Sequence, residues 1–142
     1  MRVFLCSFAG FSVAIPMSNV ASMIVYKSKA DQTIEYDHIN KNTFISLPLL
    51  LNNPQAVIHH GLIFKSGDNG ELDDDMFRNK TILLTTEIEY ETEIPSENIF
   101  RPPEIFSVFK FNAFFSGISF NSRNMVLFFN PEESLRHIGR IQ

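Results

Sequence analysis

Four groups of residues have side chains of the type that chemistry needs. Gly10-Phe11-Ser12-Val13-Ala14 half-matches the G-x-S-x-G elbow, which sets a nucleophilic serine on a strained turn between a strand and a helix. Here Ser12 begins an apolar stretch instead of ending one, which reads as an ordinary hairpin serine. Asp68, Asp73, Asp74 and Asp75 offer oxygen ligands for calcium, but no register fits an EF-hand. Counting from Asp73 puts Phe77 and Arg78 at a ligand position and at the glycine; counting from Asp68 ends on Asn79. His59 and His60 are adjacent, so on a strand they point to opposite faces and cannot share a metal, while His38 and His137 stand alone. Glu87, Glu89, Glu91 and Glu93 alternate, which places neighbours about 7 Å apart on one face of a strand. No apolar pocket is evident to raise the pKa of one of them, so they read as an acidic stripe facing water or a partner. These are fragments, and binding is a better expectation than catalysis. No catalytic residue, metal or cofactor is assigned.

The elements that must position such groups are set by composition. The chain has 142 residues, 44% hydrophobic and 20% charged, with 15 Phe and no Trp. This suits one globular domain, residues 1–142, with a packed β-rich interior. The net charge is −4, with eleven of the sixteen acidic residues between Asp68 and Glu104. No Lys/Arg stripe is present to neutralise successive phosphates, so nucleic acid is not an expected partner. A lone cysteine, Cys6, fits a reducing compartment. The opening MRVFLC is too short an apolar run for export, and no stretch of about 18 apolar residues spans a membrane. A cytoplasmic protein without membrane insertion is the expectation.

Along the chain, Val3 to Phe8 and Phe11 to Ile15 read as strands around an Ala9-Gly10 turn. Pro16 ends the second, and Val20, Met23 and Ile24 behind Ser18 have the spacing of a short helix. Lys27 to Asn42 is polar and irregular. Phe44 to Leu51 reads as a strand ending in a helical turn at Pro48, Ala56 to Phe64 as a strand, and residues 66–80 as an acidic loop. Thr81 to Ile94 reads as one long strand, with Ile82, Leu84, Thr86, Ile88, Tyr90 and Ile94 opposite the glutamates. Ser107 to Phe115, Ile118 to Phe120 and Met125 to Phe129 are further strands, and Asn130-Pro131 opens a closing helix with Glu133 in a capping-box position. Many short strands with little helix predict an all-β chain, in barrels or a sandwich.

Three stretches, in order, resemble the CheW-like family of bacterial chemotaxis adaptors. Phe4 to Ile24 looks like the family's strand, turn and strand closing on a hydrophobic-Pro pair, with Ile15-Pro16, Val20 and Met23-Ile24 at matching places. Thr81 to Ile99 is similar to its long strand and following proline turn, and Phe115 to Leu135 to its Gly-hydrophobic strand, hairpin, aliphatic strand and final helix. The family's Asn-Leu-Arg-Gly motif corresponds to Asn40-Lys41-Asn42-Thr43, where Lys41 stands for the arginine and Asn42 for the glycine. Lysine lacks arginine's planar, bidentate fork.

The resemblance implies two small five-stranded β-barrels sharing a core, with short helices including one near the C-terminus. It also implies a non-enzymatic signal-transduction adaptor whose partners are the regulatory domain of a CheA-like histidine kinase, a chemoreceptor cytoplasmic tip, or both. A related interaction module with a different partner is the alternative, and a small-ligand barrel or enzyme a more distant one. Candidate partner-contact residues are Lys41, Phe44 and Ile45 at the altered motif, with Ile15 and Val20 at the end of the first hairpin.

Overall fold

In a computed structural model of the chain, residues 1–8, 10–29, 31–65, 79–101, 114–121 and 124–130 are described. The chain is mostly β and divides into two compact units. The first comprises Met1–Ser18 and Glu89–Gln142, the second Asn19–Ile88. Among the described residues ten strands make two five-stranded mixed sheets, and regular helix is confined to short turns.

The first unit opens with β1 (Arg2–Phe8) and β2 (Phe11–Pro16), paired antiparallel from Val3↔Pro16 to Phe8↔Phe11. Gly10, at φ +88, supplies the left-handed backbone of the turn, as its sequence position predicts. The second unit follows with β3 (Val20–Ser28), β4 (Ile34–Asp37), β5 (Asn42–Ser46), the helical turn α1 (Leu47–Leu50), β6 (Ile58–Phe64) and β7 (Thr81–Thr85). The first unit is completed by β8 (Ile88–Glu93), β9 (Phe115–Asn121) and β10 (Asn124–Phe129). The sheet orders are β8-β1-β2-β10-β9 and β3-β6-β7-β5-β4. Each holds a parallel pair, β2 with β10 and β5 with β7, while β1–β2, β9–β10, β3–β6, β4–β5 and β6–β7 are antiparallel.

Each unit has its own apolar cluster. In the first, Val3, Leu5, Ala14, Val126 and Phe128 share one face of the sheet and pack with Ile94 and Ile99. The opposite face is also buried at Phe4, Cys6, Val13, Ile15 and Ile118, which is why β1 and β2 read as unbroken apolar runs instead of alternating ones. In the second unit, Ile58, Ile63, Ile82 and Leu84 form the cluster, with Ile24, Tyr26 and Phe44 packed on it. Ser46 caps α1 by accepting from the Leu49 N–H, and Pro48 occupies an early helical position where its missing donor is not needed.

Several expectations change. The helix expected after Ser18 is a 3-10 turn over Met17–Asn19 followed by the nine-residue strand β3, whose burial alternates strictly. Val20, Met23 and Ile24 fit both periods over so short a window, and pairing with β6 settles the choice for the β-branched residues. The stretch read as irregular contains β4, whose four residues are too few to show a period. The single long strand over Thr81 to Ile94 is two, β7 and β8, which break at Thr86-Glu87 and join different sheets.

Among the described residues neither sheet closes into a barrel: β8 and β9 edge the first, β3 and β4 the second. The expected acidic loop (at 66–78), most of the strand from Ser107, and the helix after Asn130 lie outside the described residues.

The segment after β8 returns to the far side of β9. Phe100 and Ile118 exchange two backbone hydrogen bonds, 2.7 and 2.8 Å. Gly117 permits this close approach, since a Cβ there would lie 2.7 Å from Ile99 Cγ2. Gly117→Ala should therefore destabilise the protein by about 1–3 kcal/mol, the usual cost of overpacking. In urea unfolding, combining it with Ile99→Ala should cost less than the two single losses added together. Strict additivity would mean that the contact is not the cause.

Candidate partner-binding surfaces

The β4–β5 hairpin of the second unit is built around Asp37. Its Oδ1 accepts from the Ile39 N–H at 3.0 Å and the Asn40 N–H at 3.4 Å, and its Oδ2 accepts from the Asn40 side-chain amide at 3.3 Å. This Asx arrangement folds the turn on itself and leaves Ile39 at the tip, 88% exposed. Tyr36 and His38, both exposed, meet edge to face with ring centroids 4.8 Å apart. The tip is held from behind by the segment that enters β7. The Asn79 N–H donates to the Asn40 carbonyl, the Thr43 N–H to the Lys80 carbonyl, and the Lys80 N–H to the buried Asn42 Oδ1 at 3.0 Å.

Lys41 is exposed at φ 58, in the left-handed region. Among the described residues the other two non-glycine residues there are Asn52 and Asn79, a residue type that tolerates it. A lysine in that conformation carries strain that the surrounding hydrogen bonds sustain. At the altered motif, then, the glycine-like backbone falls on Lys41. Asn42, the residue aligned with the family's glycine, is instead extended in β5 with its side chain turned inward.

The five expected contact residues fare differently. Ile15 and Ile45 are each 0% exposed, so they anchor β2 and β5 and present no surface. Phe44 is half-buried on the second unit's cluster, 6.4 Å from the Tyr26 ring, and Val20 is half-buried at the start of β3. Lys41 is the one that is fully outward. Lys41, Phe44 and Ile45 lie within one hairpin, whereas Ile15 belongs to the first unit.

The groups with chemical potential are tied into strands. Ser12 pairs opposite Ser7 in the β1–β2 ladder, and the Ser7 hydroxyl donates to Glu89 Oε2 at 2.8 Å. Glu91 forms an exposed ion pair with Arg2 at 3.6 Å. His59 and His60 are both half-buried on β6; the His60 carbonyl accepts from the Thr85 hydroxyl at 3.4 Å, and its Nδ1 is buried with no hydrogen-bond partner among the described residues. Among those residues, no three His, Cys, Asp or Glu side chains are grouped to hold a metal ion. Asp68, Asp73, Asp74, Asp75 and His137 lie outside them.

The first unit carries a partly exposed apolar row that sequence reasoning missed. Phe8 pairs opposite Phe11, Phe11 beside Met125, and Met125 opposite Phe120, so four apolar side chains cross β1, β2, β10 and β9 on one face. Phe8 and Phe11 stack at 5.4 Å, and Phe120 is 68% exposed. Phe100 lies opposite Ile118, two residues from Phe120 and on the same face, and is 56% exposed. The parallel β2–β10 pairing brings the turn ends of both hairpins to one end of the sheet, where these residues line up. Aromatic residues flanking two turns were visible in the sequence. Their adjacency was not, because it depends on pairing strands more than 100 residues apart.

No protein-family model and no curated protein matches the sequence. Among solved structures, the scaffolding protein TtCheW from Thermoanaerobacter tengcongensis is similar in fold. Its TM-score is 0.59 at 16% identity, over 92% of this chain and 84% of that one. Among the described residues, no helix is long and apolar enough to cross a membrane.

Two stability changes follow from the hairpin. Lys41→Gly should raise stability by about 0.5–1 kcal/mol by relieving the left-handed backbone, and Asp37→Ala should lower it by about 1–2 kcal/mol through loss of its hydrogen bonds. Chemical denaturation checks both. A Lys41→Gly variant less stable than the parent would show that the lysine side chain supports the fold.

Proposed function

We propose that the chain is a non-enzymatic adaptor that binds partner proteins, in the manner of those coupling chemoreceptors to a CheA-like histidine kinase in the bacterial cytoplasm. The observation that carries this reading is the apolar row of the first unit, in which half-buried Phe8, Phe11 and Met125 run up to exposed Phe120, with exposed Phe100 on the same face. A partly covered apolar row that ends in aromatic rings left in solvent serves recognition better than it serves the fold. The likeness of fold to a scaffolding protein supports the reading, as does a second exposed feature in the other unit, the rigid hairpin tip with Tyr36, His38, Ile39 and Lys41. Two separate surfaces suit a protein whose work is to hold two others. The partners proposed are a kinase regulatory domain and a receptor cytoplasmic tip.

A second reading, an interaction module of the same fold with a different partner, is favoured by the altered motif. A lone ammonium replaces a guanidinium at Lys41, so a partner group that needs a bidentate clamp would lose one of its two hydrogen bonds.

Titration calorimetry of the whole chain against a CheA regulatory domain and a receptor-tip fragment separates the two readings. The first expects saturable binding to at least one of them. Silence toward both up to about 1 mM, where binding is worth only about 4 kcal/mol, would leave only the second reading. Phe120→Ser should weaken binding through the row about 30-fold while moving Tm by less than about 2 °C, because its ring is already in water.

A further inference from the structure

Each sheet has two edge strands, and the edges are protected unequally. In the first sheet, β8 carries exposed Glu89, Glu91 and Glu93, and β9 is covered at its centre by the Phe100 bridge. In the second, β4 is only four residues long and carries exposed Glu35. Short length, charge and covering segments are the usual defences of an edge. The strand β3 has few of them. It is nine residues long, has no proline, and among the described residues pairs only with β6. Its exposed positions are Ala21, Met23, Val25 and Lys27, with Met23 at 41% and Val25 at 74%. Register shifts mark both ends of its pairing with β6, and between them Ser22, Met23, Ile24 and Val25 run regularly opposite Ile63, Leu62, Gly61 and His60. The regular, apolar and uncharged part of the edge is thus centred on Met23 and Ile24.

We infer that β3 is a self-association edge. Two copies of the chain pair their β3 strands antiparallel about a twofold axis through Ile24. The sequence of the strand selects this occupant and this register. With the axis at Ile24, Met23 of each copy faces Val25 of the other, so both exposed apolar side chains are covered twice, and Ala21 faces Lys27. The two Lys27 ammonium groups then lie six residues apart along the strands, about 20 Å, beyond the screening length in physiological salt. Parallel in-register pairing would set Lys27 against Lys27 at about 5 Å, which is repulsive. An axis through Val25 would place Met23 against Lys27, and one through Met23 would leave Val25 against Ala21. The Ile24 axis alone sets each of the two large exposed apolar side chains, Met23 and Val25, against another large one. An interface of one strand pair falls below the roughly 1,000 Å² of a permanent dimer, so the association is weak and reversible, with a dissociation constant on the order of 0.1 mM. It is independent of the adaptor reading.

Sedimentation velocity on the full chain from about 10 µM to about 1 mM tests it, with circular dichroism confirming that each variant is folded. The expected result is a dimer that grows with concentration. It should be weakened at least tenfold by Met23→Glu or by Val25→Glu and regained in the double variant M23E/V25K, in which each new glutamate faces a new lysine of the other copy. A chain that stays monomeric throughout overturns the proposal and leaves the edge to a strand of another protein. A dimer indifferent to the single substitutions, or a double variant no better than the singles, overturns it as well. Cross-linking gives a second measurement: Met23→Cys combined with Val25→Cys should yield a covalent dimer under mild oxidation. The absence of that species in a dimerising sample rules out the Ile24 axis.

Discussion

Two parallel strand pairings set what each sheet displays. Hairpins form from neighbouring residues at small loop-closure cost, but β2 with β10 and β5 with β7 join strands whose ends are fixed by everything between them. In the second unit the pairing is keyed by a buried clasp. The Lys80 N–H donates to Asn42 Oδ1, and the Thr43 N–H donates to the Lys80 carbonyl one residue before the Thr43↔Thr81 pair begins. A slip of one residue would strand a buried amide and turn Ile82 and Leu84 off the cluster they fill. The exposed hairpin tip follows from the same clasp, because Asn42 begins the strand that the tip precedes. In the first unit the β2–β10 register, Met125 beside Phe11, composes the aromatic row from two hairpins.

Local chemistry made much of the secondary structure legible before any coordinates. Gly10 between apolar runs specified a hairpin, Pro48 a helical turn, and the residues from Ala56 to Phe64 a strand, which forms over Ile58–Phe64. What misled was length. Between Val20 and Ile24 the 3.6 and 2.0 periods predict overlapping apolar positions, and only the continuation through Tyr26, visible as alternating burial, separates them. Over Thr81 to Ile94 the alternation was correct within each strand, yet it cannot report that the chain leaves one sheet for another at Thr86. In β7 both faces are buried, with Leu83 at 0% beside Leu84 at 5%, so the strand is not the half-exposed one its pattern suggested.

The candidate site was legible in part, for a related reason. Lys41 was singled out through the family resemblance, as the residue standing for the motif's arginine, and the structure gives that position a physical distinction, a left-handed backbone, that no side-chain pattern encodes. Ile15 and Ile45 were chosen as apolar residues in strands, and such residues are more often anchors than contacts; both are fully covered. The exposed aromatic residues were missed because exposure of a phenylalanine is a property of tertiary neighbours. Phe120 and Phe128 both belong to strands of the β9–β10 pair, yet one is 68% exposed and the other 2%.

A fold can persist while sequence similarity fades because its requirements are few. Alternation, a handful of turn residues and a filled core volume specify these sheets, and many residue combinations satisfy them. Function is carried by what those requirements leave free: the strand edges and the surfaces at hairpin ends. Those are the places where this chain departs from its expected pattern, with lysine at the altered motif, a long β3 edge uncharged over its regular middle, and aromatic rings of Phe100 and Phe120 in water. An uncharged edge and solvent-facing rings each invite aggregation, so a fold that needed neither would lose little by replacing them with polar residues. Their coexistence with charge-guarded β8 in the same chain argues that this fold can protect an edge where protection is useful, and β3, paired on one side only among the described residues, suits the strand pairing inferred for it.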